Sequence, residues 1–190
     1  MGKGYITDEE MKVERLDRQL IHKGRLFEYY QDTVRIPNGN IDTYDYIKHK
    51  GAAAVVPVTD DGKILMVRQY RNALDRVTLE VPAGGLNSVD EPTLDAAGRE
   101  LEEETGFVSD DIEYLATVRT TVAFCNEKID IYVARNLKET IQHLDEDEFI
   151  TPIPMEVGEL VNMILAGEIE DSKTISAILA YKEKYINRAK

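Results

Sequence analysis

The sequence predicts an α/β (α+β) fold: a mixed sheet flanked by a few helices, preceded by a small antiparallel β unit. Three observations predict it. Polar and apolar residues alternate over residues 13–51, strand-like runs lie on both sides of one helix at 93–105, and two amphipathic helices close the chain. Strands, helix, strands, helices is an order that fits a mixed sheet better than a regular βαβ alternation.

Taken in order, "VERLDRQLIHKGRLFEYYQDTVRIPNGNIDTYDYIKHKG" carries the turn signal "PNGN" and reads as antiparallel strands near residues 20–37 and 41–49. "GAAAVVPVTDDGKILMVRQYR" follows as two β-rich runs joined by "TDDG", a hairpin by its turn chemistry. "RVTLEVPAGG" reads as a strand ending in a small-residue turn, and "EYLATVRTTVAF" and "EKIDIYVARNL" as further strands. "DEDEFITPIPM" is an acidic loop leading into one more. "EVGELVNMILAGEI" and "SKTISAILAYKEKYI" are amphipathic helices with Gly167 at their junction. The domain reading is an N-terminal β-rich unit, 1–49, and a main domain, 50–190.

At 190 residues and 43% hydrophobic, the chain can bury one substantial core with a small appendage. A formal net charge of −13 argues against nucleic-acid or anionic-membrane partners, but not against an anionic small molecule, because bound cations invert the local field. Cys125 is the only cysteine, which excludes an intramolecular disulfide and a thiolate zinc cage. His22, His49 and His143 share no ligand-like spacing. No signal-peptide core, membrane span or myristoylation signal is visible, so a reducing, cytoplasmic setting is expected.

Within "GRELEEETGF" (98–107), Glu100, Glu102, Glu103 and Glu104 crowd into little more than one helical turn. Each close like-charge pair costs an isolated helix a few tenths of a kcal/mol. Wound at about 100° per residue, Leu94, Ala97, Leu101 and Thr105 form one packing face. Glu100, Glu103 and Glu104 form an adjoining acidic face, and Glu102 and Arg99 point elsewhere. Sorted carboxylates suit a hard divalent cation such as Mg²⁺ or Mn²⁺. A solvated helix face explains such runs equally well on the helix alone.

The spacing around the helix separates the two readings. From Gly85 the chain runs five residues to Glu91 and seven more to Arg99-Glu100, then Leu101, Glu103-Glu104, Gly106 and Phe107. Chance produces such a match roughly once in a million chains. The segment resembles the signature of the Nudix hydrolases, which implies an α/β/α sandwich with a mixed sheet and a metal-dependent substitution at a diphosphate linked to another moiety. The resemblance places Glu100, Glu103 and Glu104 in the metal-binding set. It has Arg99 orient a motif glutamate, Glu103 at i+4, lets Gly85 and Gly106 turn the loops, and leaves Glu91 holding the loop or in the outer shell.

"VRQYR" (67–71), "LEVPAGG" (79–85), and "DEDEFI" with "GEIEDSKTISAILAY" resemble the ADP-ribose pyrophosphatase branch. That resemblance implies hydrolysis of ADP-ribose, or another nucleoside diphosphate sugar, by a homodimer built through the N-terminal unit. It makes Arg71 the substrate arginine with Arg68 beside it, against a surface ion pair as the plain alternative. Glu80 contacts substrate or forms a buried ion pair with an arginine. Ala83 offers its carbonyl to metal. Glu146 or Glu148 serves as metal ligand or general base, with Glu148 preferred for metal contact. Tyr29, Tyr30 and Tyr46 are either an adenine platform or ordinary strand-pair aromatics. One departure concerns substrate: where the branch carries a Pro-Gly pair, this chain has Val122-Ala123 before Phe124. The alternatives are a broader nucleotide-sugar hydrolase and a non-catalytic ADP-ribose-sensing module.

Overall fold

A computed structural model describes residues 7–144 and 149–188. By internal packing the chain divides into two units, Met1–His49 with Thr121–Glu127, and Lys50–Thr120 with Lys128–Lys190. Residues 121–127, inside the range read as the second domain, thus group with the first unit.

In the first unit a short helix α1 (Asp8–Met11) starts on a capping box, Thr7 and Glu10 each satisfying the other's backbone N–H. Strands β1 (Glu14–Lys23), β2 (Glu28–Arg35) and β3 (Ile41–Lys48) form an antiparallel sheet in the order β1-β2-β3. The sequence reading merged the first two into one strand. The period-two pattern persists on both sides of "GRLF", and the break is a turn in which the Gly24 N–H donates to the Phe27 carbonyl at 2.9 Å. The "PNGN" turn forms as expected, with Gly39 at φ +91°. Arg18 pins the sheet's centre: it binds Asp32 through Nε and Nη2, both at 2.6 Å, and lies 3.7 Å from the Tyr46 ring centroid. Residues 121–127 add to the free edge of β3. The Ile47 N–H donates to the Phe124 carbonyl at 2.7 Å and the Asn126 N–H to the Ile47 carbonyl at 3.2 Å.

The second unit contains β4 (Ala52–Pro57), β5 (Ile64–Arg71), β6 (Arg76–Glu80), β7 (Ala83–Gly85), α2 (Thr93–Thr105), β8 (Phe107–Val108), β9 (Asp111–Arg119), β10 (Lys128–Arg135), β11 (Lys138–Glu139), β12 (Thr151–Met155), α3 (Val157–Ala166) and α4 (Ser172–Tyr181), which runs into a π-helical segment, Lys182–Asn187. Its main sheet is mixed, ordered β7-β4-β10-β9, with β4 and β10 parallel and the other pairs antiparallel. A second antiparallel sheet is ordered β12-β5-β6, and β8 and β11 pair separately. Strand β4 reads "AAAVVP" without alternation because both of its faces are covered. Ala52, Ala54 and Val56 meet Met66, Leu160 and Ile178, whereas Ala53 and Val55 meet Ala96, Ala97 and Leu101 of α2. Helices therefore lie on both faces of the sheet.

Two strand readings need correction. The "TDDG" turn forms, with the Thr59 N–H donating to the Lys63 carbonyl at 2.9 Å, but only the bridge Val58–Ile64 closes it. Beyond that bridge β4 and β5 part into different sheets, where each finds two neighbours. Ile64 to Val67 are all buried, and a two-stranded hairpin would leave such a run open to water. Strand β9 stops at Arg119, and the "TVAF" that follows packs on β3 instead. Among the described residues no helix is long and apolar enough to cross a membrane.

Candidate active site

Helix α2 spans the thirteen residues that periodicity assigns to it, closed by Gly106 in the left-handed region at φ +72°, whose N–H donates to the Glu102 carbonyl. Its packed face is rotated from the predicted one toward the glutamates. Thr93, not Leu94, meets the sheet in the first turn, through Asp130 and the Tyr132 hydroxyl, while Leu94 is 44% exposed. Ala96, Ala97, Glu100, Leu101, Glu104 and Thr105 are buried. Small residues at 96 and 97 bring the helix close to β4, and that closeness carries Glu100 and Glu104 out of water.

Arg99 is central rather than turned away. Its Nη1 donates to Glu100 Oε1 at 2.6 Å and Glu103 Oε2 at 2.8 Å, and its Nη2 to the Gly85 carbonyl at 3.2 Å. Glu91 is 3.5 Å from its Nε and accepts the Asn87 N–H, which holds the loop before the helix. Burial works against the Arg99 charge, but Glu100 and Glu103 outweigh it and raise its pKa above the usual value. Glu104 Oε2 accepts the Ala83 N–H at 3.1 Å. The Glu100 carboxylate fills the space beside Gly84, where a Cβ would overlap it. Gly84 is thus the glycine whose lack of a side chain the site requires. Gly85, expected to permit a turn, sits in β7 without a positive φ and with open space around it. Glu102 stands apart, accepting a 3.4 Å hydrogen bond from the Thr140 hydroxyl.

Glu100, Glu103, Glu104 and the peptide oxygens of β7 offer hard oxygen donors, the chemistry that Mg²⁺ and Mn²⁺ take. The Gly84 cradle presses one carboxylate against the β7 backbone, so the donor set fits a divalent ion in kind. Among the described residues no three acidic, His or Cys side chains converge on one point, since the Arg99 guanidinium stands between Glu100 and Glu103.

A cleft of about 560 Å³ lies between β5, β6 and the α3–α4 connection, lined by Arg68, Arg71, Thr78, Glu80, Asp171 and Lys173 among others. Arg71 grips Glu80 through Nε at 2.8 Å and Nη2 at 2.6 Å, so the ion pair is the contact Glu80 makes. Thr78 and Lys173 also donate to that carboxylate. The Arg71 pKa is raised, first by its hydrogen bonds to Glu80 and to a smaller degree by the charges of Glu104 and Asp171. Arg68 is exposed and has no ion-pair partner among the described residues. Sequence reasoning missed Lys173 and Asp171. The available signal was "DSKT", an Asp that caps α4 through the Thr174 N–H, followed by a lysine in the first turn of an amphipathic helix.

Tyr29 lies in the first unit, where its hydroxyl donates to Asp45 at 2.6 Å. Tyr30 and Tyr46 are 6.0 Å apart and share Arg18. Glu146 and Glu148 lie outside the described residues. Ahead of them in the chain, Gln142 and His143 bond the Glu104 and Glu103 carbonyls at the end of α2.

A family profile described as NUDIX domain matches residues 48–177. The chain belongs to the Nudix family. This Nudix chain is 40% identical over 180 residues to a methanol dehydrogenase activator of Bacillus methanolicus, covering 94% of each. It is 34% identical over 172 residues to an ADP-ribose pyrophosphatase of Bacillus subtilis (strain 168), covering 90% of this chain and 92% of that one. A crystal structure of an ADP compounds hydrolase shares the fold, with a TM-score of 0.82 at 22% identity over 93% of this chain and 96% of that one. The complete motif and these relatives make the protein a Nudix hydrolase, and hydrolases of this family generally need divalent metal ions.

The Glu80 network predicts an acid response of this Nudix hydrolase. Burial alone would raise the Glu80 pKa, but the Arg71 and Lys173 charges and the Thr78 hydroxyl lower it from 4.5 to about 2. A pKa depressed on folding contributes stability that is complete above 4.5 and lost as pH falls through about 2. The contribution is roughly 3 kcal/mol. Urea unfolding of the wild type and Glu80→Gln, compared at about pH 6 and about pH 3, should show a steeper acid loss in the wild type. Parallel losses would refute it.

Proposed function

We propose that this Nudix hydrolase cleaves ADP-ribose, or a related nucleoside diphosphate sugar, at its diphosphate, giving AMP and ribose 5-phosphate from ADP-ribose. The observation that carries the reading is the short link between cleft and acidic helix: the cleft-lining Arg71 holds Glu80, and three residues along the chain the Ala83 N–H is held by Glu104. A guanidinium beside a carboxylate set places a phosphate-binding group next to a cation-binding one. The name of the Bacillus subtilis relative supports the substrate.

In this reading Glu100, Glu103 and Glu104, with the Ala83 carbonyl, hold Mg²⁺ or Mn²⁺. The ion supplies positive charge against the diphosphate and lowers the pKa of the attacking water. Arg99 orients Glu100 and Glu103, Arg71 neutralises phosphate charge, and Arg68 adds a second cation at the cleft. Glu146 or Glu148 takes the proton as water attacks phosphorus in line. The N-terminal unit forms a homodimer; β1 supports this, an edge strand with Leu16, Leu20 and Ile21 exposed. The setting is cytoplasmic.

A second reading, activation of a dehydrogenase, is favoured by the name of the relative at 40% identity. Release of AMP from a panel of nucleotide sugars with Mg²⁺ or Mn²⁺ separates the two. ADP-ribose is expected to be the best substrate, with activity abolished by EDTA. Equal rates across the panel would indicate a broad hydrolase. No turnover of any member would overturn the reading and leave the activator.

A further inference from the structure

Glu80 is 3% exposed and is held by two cations from different elements. Arg71 of β5 takes both of its oxygens, and Lys173 of α4 shares Oε2 with it. The Lys173 side chain is 11% exposed, and its ammonium also donates to Asp171 Oδ2 at 2.9 Å. The same α4 turn anchors the segment that leads into the site: the Val81 N–H donates to Thr174 Oγ1 at 3.0 Å, and that hydroxyl donates to Asp171 at 2.6 Å. The two cations differ in freedom. The Arg71 side chain is 37% exposed and lines the cleft, and its Nη1 has no partner among the described residues.

A guanidinium whose charge is neutralised by a buried carboxylate is a poor phosphate ligand. For Arg71 to turn toward an anion it must loosen its hold on Glu80, and an unneutralised buried carboxylate is costly. Lys173 removes that obstacle, because Glu80 keeps a cation when Arg71 moves. We propose that Lys173 is a positioning residue that frees Arg71 for the substrate diphosphate by holding Glu80 in its place. This rests on the substrate reading above.

The test is calorimetric titration of metal-free protein with ADP-ribose in EDTA, together with steady-state kinetics in Mg²⁺. Lys173→Met is expected to weaken ADP-ribose binding and raise KM by about tenfold or more, with kcat within about threefold. Lys173→Arg should restore affinity. A lysine that only stabilised the fold would reduce the active fraction, and with it kcat, and leave Kd and KM unchanged; that result overturns the proposal. If Lys173→Met does not fold, Glu80→Gln and Glu80→Gln/Lys173→Met are compared, since neither buries that charge. Equal affinities for that pair support action through Glu80, and a further loss in the double variant overturns it in favour of direct contact. A wild type that neither binds nor cleaves ADP-ribose overturns the substrate reading and this proposal with it. A wild type that cleaves it, with unchanged affinity in folded Lys173→Met, overturns this proposal alone.

Discussion

Glu103→Gln is expected to fold as the wild type does and to lose turnover by about 10²–10⁴-fold. Glu103 suits this experiment because its fold contacts are few. Its side chain is 38% exposed and accepts a hydrogen bond from Arg99, which also holds Glu100. An exposed pair of this kind is worth at most about 1 kcal/mol. Glutamine keeps the size and one oxygen but removes the charge that draws a divalent ion. Urea midpoints and kcat measured side by side decide the matter: a matched midpoint with near-normal turnover would remove Glu103 from the metal set.

Gly84→Ala should be the most damaging small substitution in the site. The new methyl group would overlap the Glu100 carboxylate, which is packed in a buried position against β7 and bonded to Arg99. The carboxylate is the far end of a flexible side chain, so the fold can yield by turning it outward, at roughly 1–3 kcal/mol. The chemistry cannot yield so easily, because misplacing a ligand by an ångström costs about 10²-fold in rate. Gly85→Ala is the control for stability. Its Cβ meets open space, and its unfolding midpoint should match the wild type within about 0.5 kcal/mol. Equal stability and equal turnover for Gly84→Ala would show that Glu100 is not held where the structure places it.

That contrast also marks a limit of motif reading. The spacing rule names Gly85, yet the steric requirement falls on Gly84, because a clash depends on which side chain the fold brings opposite. Gly106 needed no tertiary information, since it ends a helix in the left-handed region and local chain geometry demands it there. Helix α2 was legible for the same reason: a period of 3.6 and a C-terminal glycine are local signals. The β1–β2 break, the parting of β4 from β5 and the docking of 121–127 on β3 were not. Strand partners are chosen by distant residues, and a period of two looks the same whichever partner is taken.

By itself the sequence determined the element types, the acidic helix, the spacing from Gly85 to Phe107 and hence the family, because these depend on neighbours within about thirty residues along the chain. The tertiary structure decided what the isolated charges do. It turned Arg99 inward between Glu100 and Glu103, joined Arg71 to Glu80, and brought Lys173 to that pair from 93 residues away. Charge is legible in one dimension. Which opposite charge will neutralise it out of water depends on burial, and burial exists only once the sheets and helices have packed.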